Sequence, residues 1–160
     1  ILPADNAQTD EPAKVPEHVE NYTWLFEGVT GEKVTAVDLI QQSERVYNFQ
    51  RIFNLKLGFG AREHDYPPYR AVGPVTVDEY RSRAGFYDRQ LQQEVGVDPA
   101  GLTTEEKIGR LRQYRESRYE QLLDAVYARR GWDENGIPTL GTLRRLGIDL
   151  PEIIDLVQRS

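Results

Sequence analysis

The chain has no cysteine and no methionine among its 160 residues. Without cysteine there is no disulfide framework, no thiolate nucleophile and no sulfur ligand for an iron–sulfur cluster in this stretch. The first residue is Ile1, not an initiator Met, and ILPADNAQTDEP has no signal-peptide pattern, so we expect a fragment of something longer and a cytoplasmic location. No apolar run approaches the length of a membrane span. Basic excess is missing as well: the net charge is −6 and the pI about 5.0. Neutralising phosphates needs a basic face, so nucleic acid is a poor partner. The motifs that announce chemistry are also lacking, with no GxSxG, HExxH, P-loop, dinucleotide fingerprint or EF-hand. His18 and His64 are far apart in loop-like contexts, so a histidine-based triad lacks its parts.

What is present reads as an ordered helical protein. Hydrophobic content is 39%, with nine Tyr and two Trp, enough for a real core. Residues 1–20 hold Pro3, Pro12 and Pro16 among acidic and polar residues and read as an extended acidic connector. Residues 21–160 read as one helical domain. Its first element is a short helix around Val19–Phe26, closed by Gly28 and Gly31.

The central stretch is VDLIQQSERVYNFQRIFNLKLGFG, from Val37 to Gly60. Thr35 followed by Asp38 resembles a capping box, and Gly58 is a left-handed stop. At about 100° per residue, Leu39, Val46, Phe49, Phe53 and Leu57 fall on one stripe, with Ile40 and Tyr47 on a second side and Val37, Ile52 and Leu55 on a third. A helix apolar on nearly every side is expected inside something larger. Between the apolar sectors runs a polar line, Glu44, Asn48 and Arg51. It is either a local hydrogen-bonded ladder, the commoner arrangement, or a face toward another domain or a cofactor site.

The loop that follows places Glu63, His64 and Asp65 in a row, three potential metal ligands. Adjacent residues rarely converge on one ion, so a capped or ion-paired loop is the expectation, with Arg62 and Arg70 pairing Glu63 or Asp65. Thr76–Glu79 reads as a second capping box opening a helix to about Val95. Thr104 then caps a helix from Glu105 to about Arg130, with the stripe Ile108, Leu111, Tyr119, Leu122 and Val126. Arg115 falls inside that stripe, so its head either reaches water or meets a carboxylate from another domain. Residues 77–130 carry ten acids and ten bases, which makes RLRQYRESR a salt-bridged face. Gly131, the Asn135–Gly136 turn, a cap at Thr139, Gly147 and a last helix begun by Asp149 with Pro151 punctuate the end, where Trp132 is expected to plug a helix junction. No strand pattern appears. The fold class is all-α, an irregular multi-helix domain.

Two separated blocks carry a family resemblance. Arg51, Phe53, Asn54, Gly58 and Phe59, with Asp65, Pro68 and Arg70 in the loop, form the first. Arg130, Gly131, Trp132, Gly136, Pro138, Thr139 and the closing LRRLG form the second. In this order they resemble the C-terminal end of the tungsten-containing aldehyde:ferredoxin oxidoreductases over about Tyr22 to Gly147. The helices between Val77 and Tyr127 resemble the larger members, among them aromatic acyl-CoA reductase subunits. The resemblance implies an enzyme that interconverts aldehydes and carboxylic acids on a tungsten bis-pterin (molybdopterin-type) cofactor, with a [4Fe–4S] cluster and a ferredoxin-like electron carrier.

None of the family's functional residues carries over to a numbered position here, so no catalytic, cofactor-binding or metal residue is expected in this stretch. The expected partners are the remaining N-terminal domains of the same enzyme. Residues 36–70 would pack against its cofactor-bearing part, with Glu44, Asn48, Arg51 and His64 nearest the interior. The isolated stretch would be inactive. The alternative is an autonomous helical domain whose apolar faces bind a partner protein.

Overall fold

The computed structural model describes residues 16–159. Among them are seven α-helices and no strand, only an isolated antiparallel bridge between Trp132 and Pro138. The protein is all-α. No helix among the described residues is long and apolar enough to cross a membrane. Residues 1–15 of the expected connector lie outside the described residues. From Pro16 the chain is helical, with proline at the first position, where a missing N–H costs nothing.

The contacts divide into two compact units, Ile1–Asp65 with Asp124–Ser160, and Tyr66–Leu123. The first contains α1 (Pro16–Thr30), α2 (Ala36–Lys56), α6 (Leu140–Leu146) and α7 (Pro151–Arg159). α2 opens on the expected reciprocal cap: Thr35 Oγ1 accepts from the Asp38 N–H, and Asp38 accepts from the Thr35 N–H at 2.8 Å. It ends where Gly58 takes φ +81°, which lets the Phe59 N–H reach the Asn54 carbonyl at 2.9 Å. Thr139 caps α6 by accepting from the Thr142 N–H, and Gly147 closes that helix in the left-handed region. Ile52 of α2 packs on Leu143, Leu146, Ile148 and Ile153, with Leu140, Leu156 and Val157 around them.

On α2 the polar line, and not the long apolar stripe, supplies the buried side. Its buried residues are Asn48, Arg51 and Ile52. Val46, Phe49, Phe53 and Leu57 of the long stripe are more than half exposed. Burial of an amide and a guanidinium is possible because each finds partners on the segment around Trp132.

The second unit holds α3 (Val77–Ser82), α4 (Ala84–Gln90) and the N-terminal part of α5 (Thr104–Arg130), whose last turns from Asp124 belong to the first unit. One straight helix over 77–95 is not what forms. The chain breaks at Arg83 (φ −136°, ψ 29°), and α4 runs into a wider π turn over Leu91–Val95 that ends at the left-handed Gly96. In a straight helix Tyr80 and Tyr87 would stand about 10 Å apart along the axis. The break brings their ring centroids to 5.0 Å in a core shared with Leu91 and Leu111. The Tyr80 hydroxyl donates to Asp88 at 2.8 Å, and Lys107 donates to the same carboxylate at 3.0 Å. Burial and Asp88 together push the Tyr80 hydroxyl far above its ordinary pKa.

Several details differ from the sequence reading. Thr103, not Thr104, caps α5, because Glu106 three residues on closes the reciprocal box with it. On α5 the fully buried apolar residues are Leu111, Leu123 and Tyr127, while Ile108, Tyr119, Leu122 and Val126 are half-buried. Arg115 is half-buried, and its guanidinium donates to the Gln90 side-chain carbonyl at 2.6 Å. Thr76 caps α3 as expected by accepting from the Glu79 N–H, but the Glu79 carboxylate accepts from the Val75 N–H and Arg70 instead of closing the box.

These burials predict a contrast within one unit. Leu143→Ala, at a site with no exposure, should lower unfolding free energy by about 3 kcal/mol. Phe53→Ala, on the open stripe, should stay within about 0.5 kcal/mol of the parent. Chemical denaturation of both variants measures this, and equal losses would contradict the exposure described.

Candidate functional site

Three pieces of the first unit meet around Arg51: α2, the loop that ends at Asp65, and the segment from Tyr127 to Gly136. Arg51 projects from the buried face of α2 with only 7% exposure. Its Nη1 and Nη2 donate to the two carboxylate oxygens of Asp65 at 2.8 and 2.7 Å, a fork on a fork. Its Nε donates to the Gly136 carbonyl at 2.9 Å, and its guanidinium lies 4.5 Å from the Trp132 ring centroid. Tyr127 adds to the carboxylate's coordination, its hydroxyl donating to Asp65 at 2.6 Å.

The surroundings are built to the same close tolerance. Trp132 donates its indole N–H to Asn48 Oδ1 at 2.7 Å, and Tyr47 stacks on Trp132 at 5.7 Å. Arg130 joins them, its guanidinium 3.6 Å from the Tyr47 centroid and 5.7 Å from that of Trp132. Gly136 has φ +78°, and a Cβ there would collide with the Arg51 guanidinium and the Tyr127 ring. Glycine is required at this turn for both conformation and space.

Burial pushes the Asp65 carboxyl up, but the hydrogen bonds from Arg51 and Tyr127 and the Arg51 charge outweigh it and hold the group below its ordinary value. The Tyr127 hydroxyl moves the other way. Burial, then its bond to the Asp65 anion, push it up to about 12.

The four sequence candidates are separated by this arrangement. Asn48 and Arg51 join the cluster. Glu44 accepts instead from Arg145 at 2.6 Å, while its backbone carbonyl takes the Asn48 amide at 2.9 Å. His64 sits half-exposed, edge-on to Phe59 at 5.5 Å, with its Nδ1 3.8 Å from Glu63. In the loop Asp65 pairs with Arg51. Arg62 pairs with Asp124 at 2.8 Å and donates to the Glu134 carbonyl, and Arg70 pairs with Glu79 at 3.3 Å.

Asp65, expected in an ion-paired loop, and Tyr127, on the long helix, are the members that were not among the four candidates. The available signal was that Arg51, Asp65, Trp132 and Gly136 all belong to the two resembling blocks. Beside the cluster lies an open groove of about 560 Å³ lined by Arg62, Asp124, Tyr127, Ala128, Trp132, Asp133 and Glu134.

The family model described as aldehyde ferredoxin oxidoreductase, domains 2 & 3, matches residues 5–148. The chain belongs to this family. No curated protein and no solved structure matches it. The match takes in both halves of the Arg51 cluster and leaves out only α7 among the helices. A match to domains 2 and 3 also means that the enzyme has further domains, and the family implies a metal and a pterin in the complete protein.

The chain has no cysteine to ligate iron, and no three His, Asp or Glu side chains converge among the described residues. The buried guanidinium of Arg51, which could have faced a pterin phosphate, is committed to Asp65 and Gly136. In this member of the aldehyde ferredoxin oxidoreductase family the cluster acts as a clamp between distant segments.

Asp65→Asn should therefore destabilise the chain by about 3 kcal/mol, since it leaves a buried guanidinium without its counter-charge. The wild-type clamp contributes fully at neutral pH, because a depressed carboxyl pKa favours the folded state above the ordinary range. That contribution is lost as pH falls below about 4. At the alkaline end the raised Tyr127 pKa predicts a second loss, between about 10 and about 12. Unfolding midpoints against pH should show both limbs in the parent and a flattened acid limb in Asp65→Asn; identical acid limbs would remove the clamp from the account.

Proposed function

We propose that the chain is the C-terminal helical portion of a tungstopterin oxidoreductase that interconverts aldehydes and carboxylic acids. In this reading a tungsten ion held by two pterin dithiolenes, with a [4Fe–4S] cluster nearby, supplies the redox chemistry, and a ferredoxin-type carrier takes the electrons. The observation that carries it is the family match over residues 5–148. Oxidising an aldehyde to an acid removes two electrons and takes an oxygen from water. Such chemistry is the cofactor's, and the protein's part is to bind, orient and tune.

This chain's part is to hold structure. The Arg51–Asp65 pair fixes α2 and its following loop to the segment carrying Trp132, which gives the rest of the enzyme a rigid surface to pack on. The uncovered apolar stripe of α2 supports placement within a larger body, since exposed patches of that kind mark contact surfaces. An autonomous interaction domain would use the same stripe for a partner protein, and the family match favours the enzyme.

The protein isolated from its source should run well above 18.4 kDa under native conditions and contain tungsten and iron. The 160 residues alone should show no aldehyde-dependent dye reduction. A metal-free native species of monomer mass would overturn the proposal in favour of the interaction domain.

A further inference from the structure

α2 is a two-faced helix whose exposed face is the apolar one. Val46, Phe49, Phe53 and Leu57 are 58%, 53%, 53% and 57% exposed. With Leu39 they form a single row of about 27 Å at the ordinary helical rise. From Leu39 to Phe53 the row's face carries no charge, and Gln42 and Gln50 are its only polar residues. The charges of that stretch of helix point elsewhere and are occupied. Glu44 takes Arg145, Arg45 donates to the Leu146 carbonyl, and Arg51 takes Asp65. Solvated helix faces normally carry charge. A long face stripped of it matches the core of a permanent interface, where charged residues are depleted.

We infer that the row Leu39, Val46, Phe49, Phe53 and Leu57 is the seam along which this chain packs against another domain of the same enzyme. The inference rests on the reading of the chain as part of a larger oxidoreductase and goes beyond it by assigning the contact to one face of one helix. That face is opposite to the polar line Asn48 and Arg51, which is consumed inside the chain's own fold. The occupant is a domain of the same enzyme because the matching family model describes domains 2 and 3, which implies other domains of that enzyme. A transient electron carrier is disfavoured by the missing charge, since such encounters are steered electrostatically.

Hydroxyl-radical footprinting tests this on the complete enzyme purified from its source, with the isolated 160-residue chain as reference. Phe49, Phe53 and Leu57 should be oxidised several-fold less in the complete enzyme than in the isolated chain. Phe49→Lys with Phe53→Lys should lower the thermal midpoint of the complete enzyme and leave the helicity of the isolated chain unchanged. Equal oxidation in both preparations would overturn the seam. So would protection already present in the isolated chain, whether lost on dilution (a second copy) or not (cover by this chain itself). The functional reading is judged separately: protection in an enzyme without tungsten or aldehyde activity keeps the seam and removes that function, and activity without protection does the reverse.

Discussion

A guanidinium taken out of water must have its charge and its donors answered within a few ångströms, or the fold loses several kcal/mol. Arg51 sets this condition, and much of the first unit follows from meeting it. Its fork requires the Asp65 carboxylate in its plane, which fixes the loop after α2. Its Nε requires a backbone carbonyl, which fixes the turn at Gly136 and leaves no room there for a side chain. Its flat face rests on Trp132, whose own N–H is answered by Asn48 one turn earlier on the same helix. Three segments distant in sequence are thereby tied by bonds that each need the others in place.

That commitment decides what the protein can do. The most buried charge among the described residues of the first unit is spent on structure, and the chain has no cysteine to ligate iron. In the proposed reading its value to the enzyme is mechanical. A rigid helix presents an uncharged apolar row on one side because a polar clamp secures it on the other. A seam of this kind needs the clamp behind it, since an apolar helix without a fixed back would roll its row inward.

The second unit shows the same physics with different residues. Tyr80, bent back onto Tyr87 by the break at Arg83, buries a hydroxyl that must find Asp88, and Asp88 in turn must find Lys107. Arg112 finds the Tyr69 carbonyl and stacks on its ring at 3.6 Å. In both units a buried polar group bound to partners far along the chain takes a place that periodicity reserves for aliphatic side chains.

The sequence by itself determined the helices, their caps and the family. Thr35 with Asp38, Gly58, Thr139 and Gly147 act within four residues of themselves, so their roles can be read locally. The two blocks that carry the resemblance are linear strings. Tertiary structure alone decided which side of α2 is inside. Periodicity ranks faces by hydrophobicity, and by that measure the Phe49–Phe53 side should be buried. Asn48 and Arg51 are buried instead because their partners lie on Trp132, Gly136 and Asp65. The break at Arg83 was likewise invisible, since it serves a contact between two tyrosines rather than any local preference. Local rules sum energies along one helix, whereas the burial of a charge depends on partners that only folding brings within reach.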